Sequence, residues 1–117
     1  MRKMIYLAGP YTNPDPVINT HAAIKVGTWV YENTDWVPMI PHLTLLHHMV
    51  TPRPLEFWYS LDMHHMSRCD AVTRLPGKSS GADAEIDMAY ECEMEVVPVH
   101  DVIPFAILEE LWESRYA

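Results

Sequence analysis

The spacing of apolar and polar positions changes period several times along the chain. Met4-Ile5-Tyr6-Leu7-Ala8 is an unbroken apolar run closed by Gly9-Pro10, which predicts a strand buried on both faces of a parallel sheet. Asn13-Pro14-Asp15-Pro16 supplies caps and helix-starting prolines. The stretch from there to about Asn33 carries Val17, Ala22, Ile24, Val26, Trp29 and Val30 at helix-compatible positions. Trp36 to Pro41 predicts a second strand, whose prolines favour an edge position or the strand end. Thr44 to Met49 predicts one or two helical turns stopped by Pro52 and Pro54. From Leu55 to Arg68 the residues Leu55, Trp58, Tyr59, Asp62, Met66 and Cys69 recur at three- and four-residue steps, as on one side of a helix. Asp70 to Leu75 predicts a third strand ended by Pro76-Gly77, a helix begins near Ser79, Val96 to Val99 predicts a fourth strand, and Pro104 to Trp112 a last amphipathic helix.

Strand and helix alternating in this way predict an α/β fold over residues 1 to 117. Its core would be a single-domain parallel, flavodoxin- or Rossmann-like sheet of four to five strands, flanked by helices and joined by right-handed crossovers. Ligands of such sheets bind outside the carboxyl ends of the strands. The loops after strands one and three, residues 9 to 14 and 76 to 81, leave from that edge.

The helix that follows strand three carries an anomaly. At about 100° per residue, Asp83, Asp87 and Glu91 share one face, whereas Glu85 falls between Ala89 and Cys92 in the arc that also holds Ala82, Ile86 and Met88. A carboxylate aimed at apolar surroundings costs several kcal/mol unless it is paired, neutralised or faces a polar cleft. Two readings follow: a core-edge Glu satisfied by backbone or an Arg, or a working acid, base or nucleophile. Asp62 likewise points along an apolar stripe.

Composition narrows the choice. A chain of 117 residues with 49% hydrophobic content supports one core and is too short for two ordinary domains. Eight Lys and Arg against sixteen Asp and Glu exclude a broad basic surface for a nucleic acid polymer, but a mononucleotide needs only a helix N-terminus and one or two side chains. Cys69 and Cys92 lack metal, redox or disulfide-scaffold spacing and are expected to be small core residues. The apolar run after Met1-Arg2-Lys3 is too short for a signal segment or a membrane span, so a cytoplasmic location without membrane contact is expected.

Asp62 and Glu85 together suggest glycosidic chemistry, which commonly uses one carboxylate as nucleophile and a second group to protonate the leaving side. Tyr6, near the carboxyl end of strand one, can orient a carboxylate, or it is a core aromatic whose hydroxyl reaches solvent. Ser79, Ser80 and Gly81, with Lys78 before them, form a phosphate cradle or a plain N-cap. Trp58, four residues before Asp62, either stacks on a base or belongs to the core, the latter being the commoner role of a Trp at that spacing. His42 follows Pro41 at the end of strand two and can contact base or sugar, or sit on the surface. The pairs His47-His48 and His64-His65 show no metal-ligand spacing, and neither a metal nor a cofactor is expected.

Tyr6-Leu7-Ala8-Gly9, Asp62 placed eight residues before Asp70-Ala71-Val72, and Ser79-x-Gly81-x-x-x-Glu85 with Ala89 behind it resemble the nucleoside 2-deoxyribosyltransferase-like superfamily. That superfamily includes the deoxynucleoside 5′-monophosphate N-glycosidases. Most closely the chain resembles short phage and bacterial proteins that begin with a Tyr-Leu-Ala-Gly-Pro-Tyr motif, over about residues 4 to 99. The resemblance implies Glu85 as the nucleophile at C1′, Asp62 as the group that protonates or orients the departing base, and Tyr6 as the residue positioning Glu85. It implies Ser79 at a 5′-phosphate, with Gly9, Tyr11, His42, Trp58, Ser80 and Gly81 lining the substrate site. A homodimer or higher homo-oligomer is also implied. The function expected is hydrolysis of a nucleotide N-glycosidic bond; base exchange between nucleosides and a non-catalytic nucleotide-binding module are the alternatives.

Overall fold

A computed structural model describes all of residues 1–117. Four parallel strands lie in the order β2-β1-β3-β4: β1 Lys3–Ala8, β2 Trp36–Met39, β3 Ala71–Arg74 and β4 Glu95–Val96. The helices are α1 Pro16–Asn33, α2 Thr44–Val50, α3 Leu55–Ser67, α4 Ser80–Glu91 and α5 Phe105–Leu108. A radius of gyration of 13.4 Å is that of one domain of this length. No helix is long and apolar enough to cross a membrane.

The expected edge position of β2 holds. Pro38 lacks the N–H an inner strand must donate, and β2 pairs with β1 on one side alone, with Ile5 opposite Pro38. The apolar run of β1 becomes a central strand in which Ile5, Tyr6, Leu7 and Ala8 are fully buried. Alternation along the strand sends Ile5 and Leu7 to one face and Tyr6 and Ala8 to the other. The first face is covered by Ala22, Ala23, Val26 and Val30 of α1 with Leu108 and Trp112 beyond, the second by Met66 of α3 and Ala82 and Ala89 of α4. Because the chain goes from β1 outward to β2 and then back across to β3, the direction of winding reverses between β1 and β3. A crevice opens at the carboxyl ends of those two strands.

Caps account for the main helix starts. Asp15 accepts from the Val17 and Ile18 amides at 2.8 and 3.2 Å, and Ser79 from the Ala82 amide at 3.1 Å. Asp70, just ahead of β3, accepts from the Met4 amide at 2.8 Å and so aligns the starts of β1 and β3.

Several expectations are corrected. β4 is Glu95–Val96 rather than Val96 to Val99: Val97 still donates to Val72 O at 2.8 Å, but Pro98 has no N–H to continue the ladder. The last helix starts at Phe105 and widens into a π-helical turn over Glu109–Glu113. Cys92 is exposed, because α4 ends at Glu91 and Cys92 is only its cap, and Cys69 is half-buried. Met88, Val17 and Ile24 are exposed, since each lies beyond the arc its helix buries, and Leu55 is exposed as the first residue of α3.

The β3–α4 turn depends on Gly77, whose φ of +123° and 2.9 Å approach of a notional Cβ to the Pro10 ring leave no place for a side chain. Gly77→Ala is expected to lower stability by on the order of 1–3 kcal/mol in urea unfolding. Gly81→Ala, whose notional Cβ meets nothing nearer than Ser79 Oγ at 4.0 Å, is expected to be neutral or to stabilise α4 by about 0.5–1 kcal/mol.

Candidate active site

Every side chain of the site hangs from an element that ends or begins at the crevice. Residues after β1, β2 and β3 and the inner faces of α3 and α4 enclose a cleft of about 480 Å³. Ser79 caps α4, and that start fixes the rotation of the helix, so that Ala82, Glu85 and Ala89 form its buried stripe. The two alanines let α4 lie close to the sheet. Glu85, between them, lies beside the second face of β1, where Tyr6 stands.

The Tyr6 hydroxyl donates to Glu85 Oε2 in a contact buried from solvent. Burial, reinforced by the Glu85 and Asp62 charges, raises the Tyr6 phenol far above its ordinary range, so it keeps its proton and acts only as a donor. Burial pushes the Glu85 carboxyl up to about 7, against the opposing pull of the Tyr6 hydrogen bond and the Arg74 charge. Asp62 reaches the same cleft from α3, and its Oδ1 is buried with no hydrogen-bond partner. Burial, and then the Glu85 charge, push the Asp62 carboxyl up to about 7. Both acids are thus raised toward neutrality, and the Glu85 charge links the titration of Asp62 to its own.

The rest of the cleft is partly as expected. Gly9, Tyr11, His42 and Trp58 all line it, as do Ser79, Ser80 and Gly81, with Lys78 beside them. Tyr6 lies beneath the lining, behind Glu85. His42 is buried rather than a surface residue: Nε2 sits 2.8 Å from Pro10 O, so the ring donates there and Nδ1 is an unprotonated acceptor without a partner. Burial holds its pKa down to about 4, and the Arg115 charge pulls in the same direction. Trp58 is a core residue that also borders the cleft: it is buried, and its indole N–H donates to His48 Nδ1 at 2.7 Å. His48 thus serves α2–α3 packing. The Ser79 hydroxyl oxygen is occupied in capping, which leaves its O–H free to donate.

Arg74 was not anticipated as a site residue. From the last position of β3 it donates to Leu75 O, to Gly77 O at 2.9 Å and to Asp83 Oδ1 at 2.9 Å, and thereby clamps the turn that leads into α4. A cation at the carboxyl end of an otherwise apolar strand, eleven residues before Glu85, was the available signal. Tyr59, on the cleft wall one turn before Asp62, is a second such residue.

No protein-family model, curated protein or solved structure gives a significant match to the chain.

Asp62 offers a direct check. Its carboxyl titrates higher folded than unfolded, so the folded state is favoured below about pH 4 and loses that advantage as pH rises through about 7, where folding must bury an ionised group. Asp62→Asn is expected to gain stability over the parent between about pH 5 and about pH 8, by on the order of 1–2 kcal/mol after allowing for partial solvent contact. Parallel thermal melts across that range measure it. Arg74→Gln is expected to cost about 1–3 kcal/mol through the freed turn carbonyls and to shift the Glu85 titration upward. Carboxyl carbon NMR resolves that shift.

Proposed function

We propose that this protein is an N-glycosidase that hydrolyses the bond between base and sugar in a ribo- or deoxyribonucleoside 5′-monophosphate or a close analogue, through a covalent intermediate on Glu85. The observation that carries the proposal is the unequal support of two acids in one cleft. Glu85 has the Tyr6 hydroxyl on one oxygen and Arg74 nearby, both favouring its ionised form, whereas Asp62 has a buried oxygen with no donor. When the pair holds a single proton, that proton belongs on Asp62. Glu85 is then the nucleophile and Asp62 the acid.

In the first step the free oxygen of Glu85 bonds to C1′ as the C1′–N bond breaks, and Asp62 gives its proton to the departing base nitrogen. In the second, Asp62 takes a proton from water, the resulting hydroxide attacks C1′, and the ester to Glu85 is released. Both carboxyls return to their starting states. Tyr6, held protonated, keeps one Glu85 oxygen occupied so that the other faces the sugar. Lys78, the Ser79 and Ser80 hydroxyls and the amides at the start of α4 provide contacts for a phosphate, and Trp58, Tyr11 and His42 provide walls for base and sugar. A homodimer or larger homo-oligomer forms part of the same proposal. Exposed Leu46, Met49 and Val50 on α2 support it.

Incubation with a panel of ribo- and deoxynucleoside monophosphates is expected to release free base, measured by chromatography. Glu85→Gln should lower the rate by at least ~10³-fold and Asp62→Asn by ~10²–10⁴-fold. A panel that yields neither free base nor a trapped glycosyl-protein would falsify the reading. Transfer to an added base in preference to water would make the protein a transferase, and saturable binding without product would make it a sensor.

The pH profile of kcat/KM is expected to be a narrow bell centred near neutrality. It falls on the acid side as Glu85 gains a proton and on the alkaline side as Asp62 loses its own, both carboxyls being raised to about 7. Asp62→Asn should remove the alkaline limb.

A further inference from the structure

The chain after α5 closes back over the first face of the sheet and reaches the loops that border the cleft without entering it. Trp112, fully buried, donates its indole N–H to Pro76 O at 2.7 Å, in the β3–α4 turn. The Arg115 guanidinium lies 3.8 Å from the centre of the Trp112 ring, and its Nε donates to Asn19 Oδ1 at 2.8 Å. Asn19 is fully buried at the start of α1, and its Nδ2 donates to Tyr11 O at 2.9 Å and Asn13 O at 3.0 Å, the carbonyls of the loop after β1. The Tyr116 hydroxyl fills the second acceptor site on Asn19 Oδ1 at 2.9 Å. Every donor and acceptor of that amide is thus used. Because Arg115 can only donate, it dictates which end of Asn19 faces the loop.

This arrangement joins three cleft walls to one point. The loop after β1 hangs from Asn19 and the turn after β3 from Trp112. The His42 ring, in the turn after β2, meets the edges of both Tyr11 and Trp112, with centroids 5.9 and 6.1 Å apart. None of Asn19, Trp112, Arg115 or Tyr116 borders the cleft. We propose that Arg115 is a positioning residue for the substrate site: by fixing Asn19 and covering Trp112 it holds the Tyr11–Asn13 loop and the β3–α4 turn at the separation a ligand requires. Glu85, Asp62 and Tyr6 sit on the other face of the sheet and make no hydrogen bond to it, and the end of the turn from which α4 starts is held separately by Arg74. The brace therefore governs substrate binding and leaves the reacting groups in place.

The test uses Arg115→Met, which keeps a stem over Trp112 but donates nothing, and Tyr116→Phe, which removes the hydroxyl that meets Asn19 Oδ1 and the Asp15 backbone from a half-exposed residue and keeps the fold should the first variant fail to form it. Backbone ¹⁵N order parameters of Tyr11, Thr12 and Asn13 are expected to fall from a rigid ~0.85 toward ~0.6 in Arg115→Met, and less far in Tyr116→Phe, with those of Trp58 to Asp62 unchanged. Unchanged order in the Tyr11–Asn13 loop of both variants, or an equal loss throughout the chain, overturns the proposal. A second arm rests on the glycosidase reading: with a nucleotide the parent cleaves, Arg115→Met is expected to raise KM about tenfold and to leave kcat within about threefold. A fall in kcat at constant KM overturns the positioning role. If the parent cleaves no nucleotide, the glycosidase reading fails by itself and the order parameters decide the brace.

Discussion

A phenol and a carboxylate meeting out of water between β1 and α4 set the terms for the rest of the molecule. Glu85 retains 8% of its exposure and Tyr6 none, so each would cost several kcal/mol to bury without the other. Their contact requires one rotation of α4 against the sheet. A helix turned by a single residue moves its side chains about 100° around the axis, which would strand Glu85 against apolar atoms and lift Ala82 and Ala89 off the strands. The alanines that allow close approach and the acid that needs a partner thus enforce the same register. Packing and chemistry are one constraint here, and Arg74 adds to it by fixing the turn from which α4 starts. Its pairing with Asp83, largely exposed on the acid's side, is worth little as attraction and matters as geometry.

Two acids raised to about the same range would be ambiguous in role if their surroundings matched, and they do not. Hydrogen bonding to a charged carboxylate favours that charge, while burial without a donor favours the neutral form. Glu85 receives the first kind of support and Asp62 the second kind of penalty. Tyr6 tips the balance because burial keeps its own proton in place, so it can only donate. The division of labour in the proposed mechanism follows from three side chains on three elements, β1, α3 and α4.

Much of this could be read from the chain before any coordinates. A closed apolar run for β1, Pro38 for the edge strand and the alternation of elements rest on local pattern, and periodicity alone turned Glu85 and Asp62 inward. What escaped depends on contacts that local pattern does not carry. Two residues of β4 are held by a ladder that Pro98 cuts off. Arg74 looks like the end of a strand until the turn folds over it. Asn19 and Arg115 are 96 positions apart, and nothing in the spacing of either announces the other. Trp112 reads as core, which it is, and its indole N–H acquires meaning only beside Pro76 O. Cys92 failed in the opposite direction: an apolar residue was assigned inward although its helix had already ended.

A net charge of −8 is a poor overall setting for the anionic ligand of the proposed function, and the distance over which charge acts resolves the conflict. At physiological ionic strength exposed charges are screened beyond about 8 Å, so the net charge of the whole chain says little about the field inside the cleft. What a phosphate meets is local: Lys78, the amides of a helix start and two hydroxyls. Arg74, whose Nη2 is already committed to Gly77 O and Asp83, adds field from outside the cleft lining. Under the proposed function such a site gains little from long-range steering, so a preference among nucleotides would come from fit within the cleft. That places the burden of selection on the walls around Tyr11, His42 and Trp58, two of which are held from behind by residues no ligand touches.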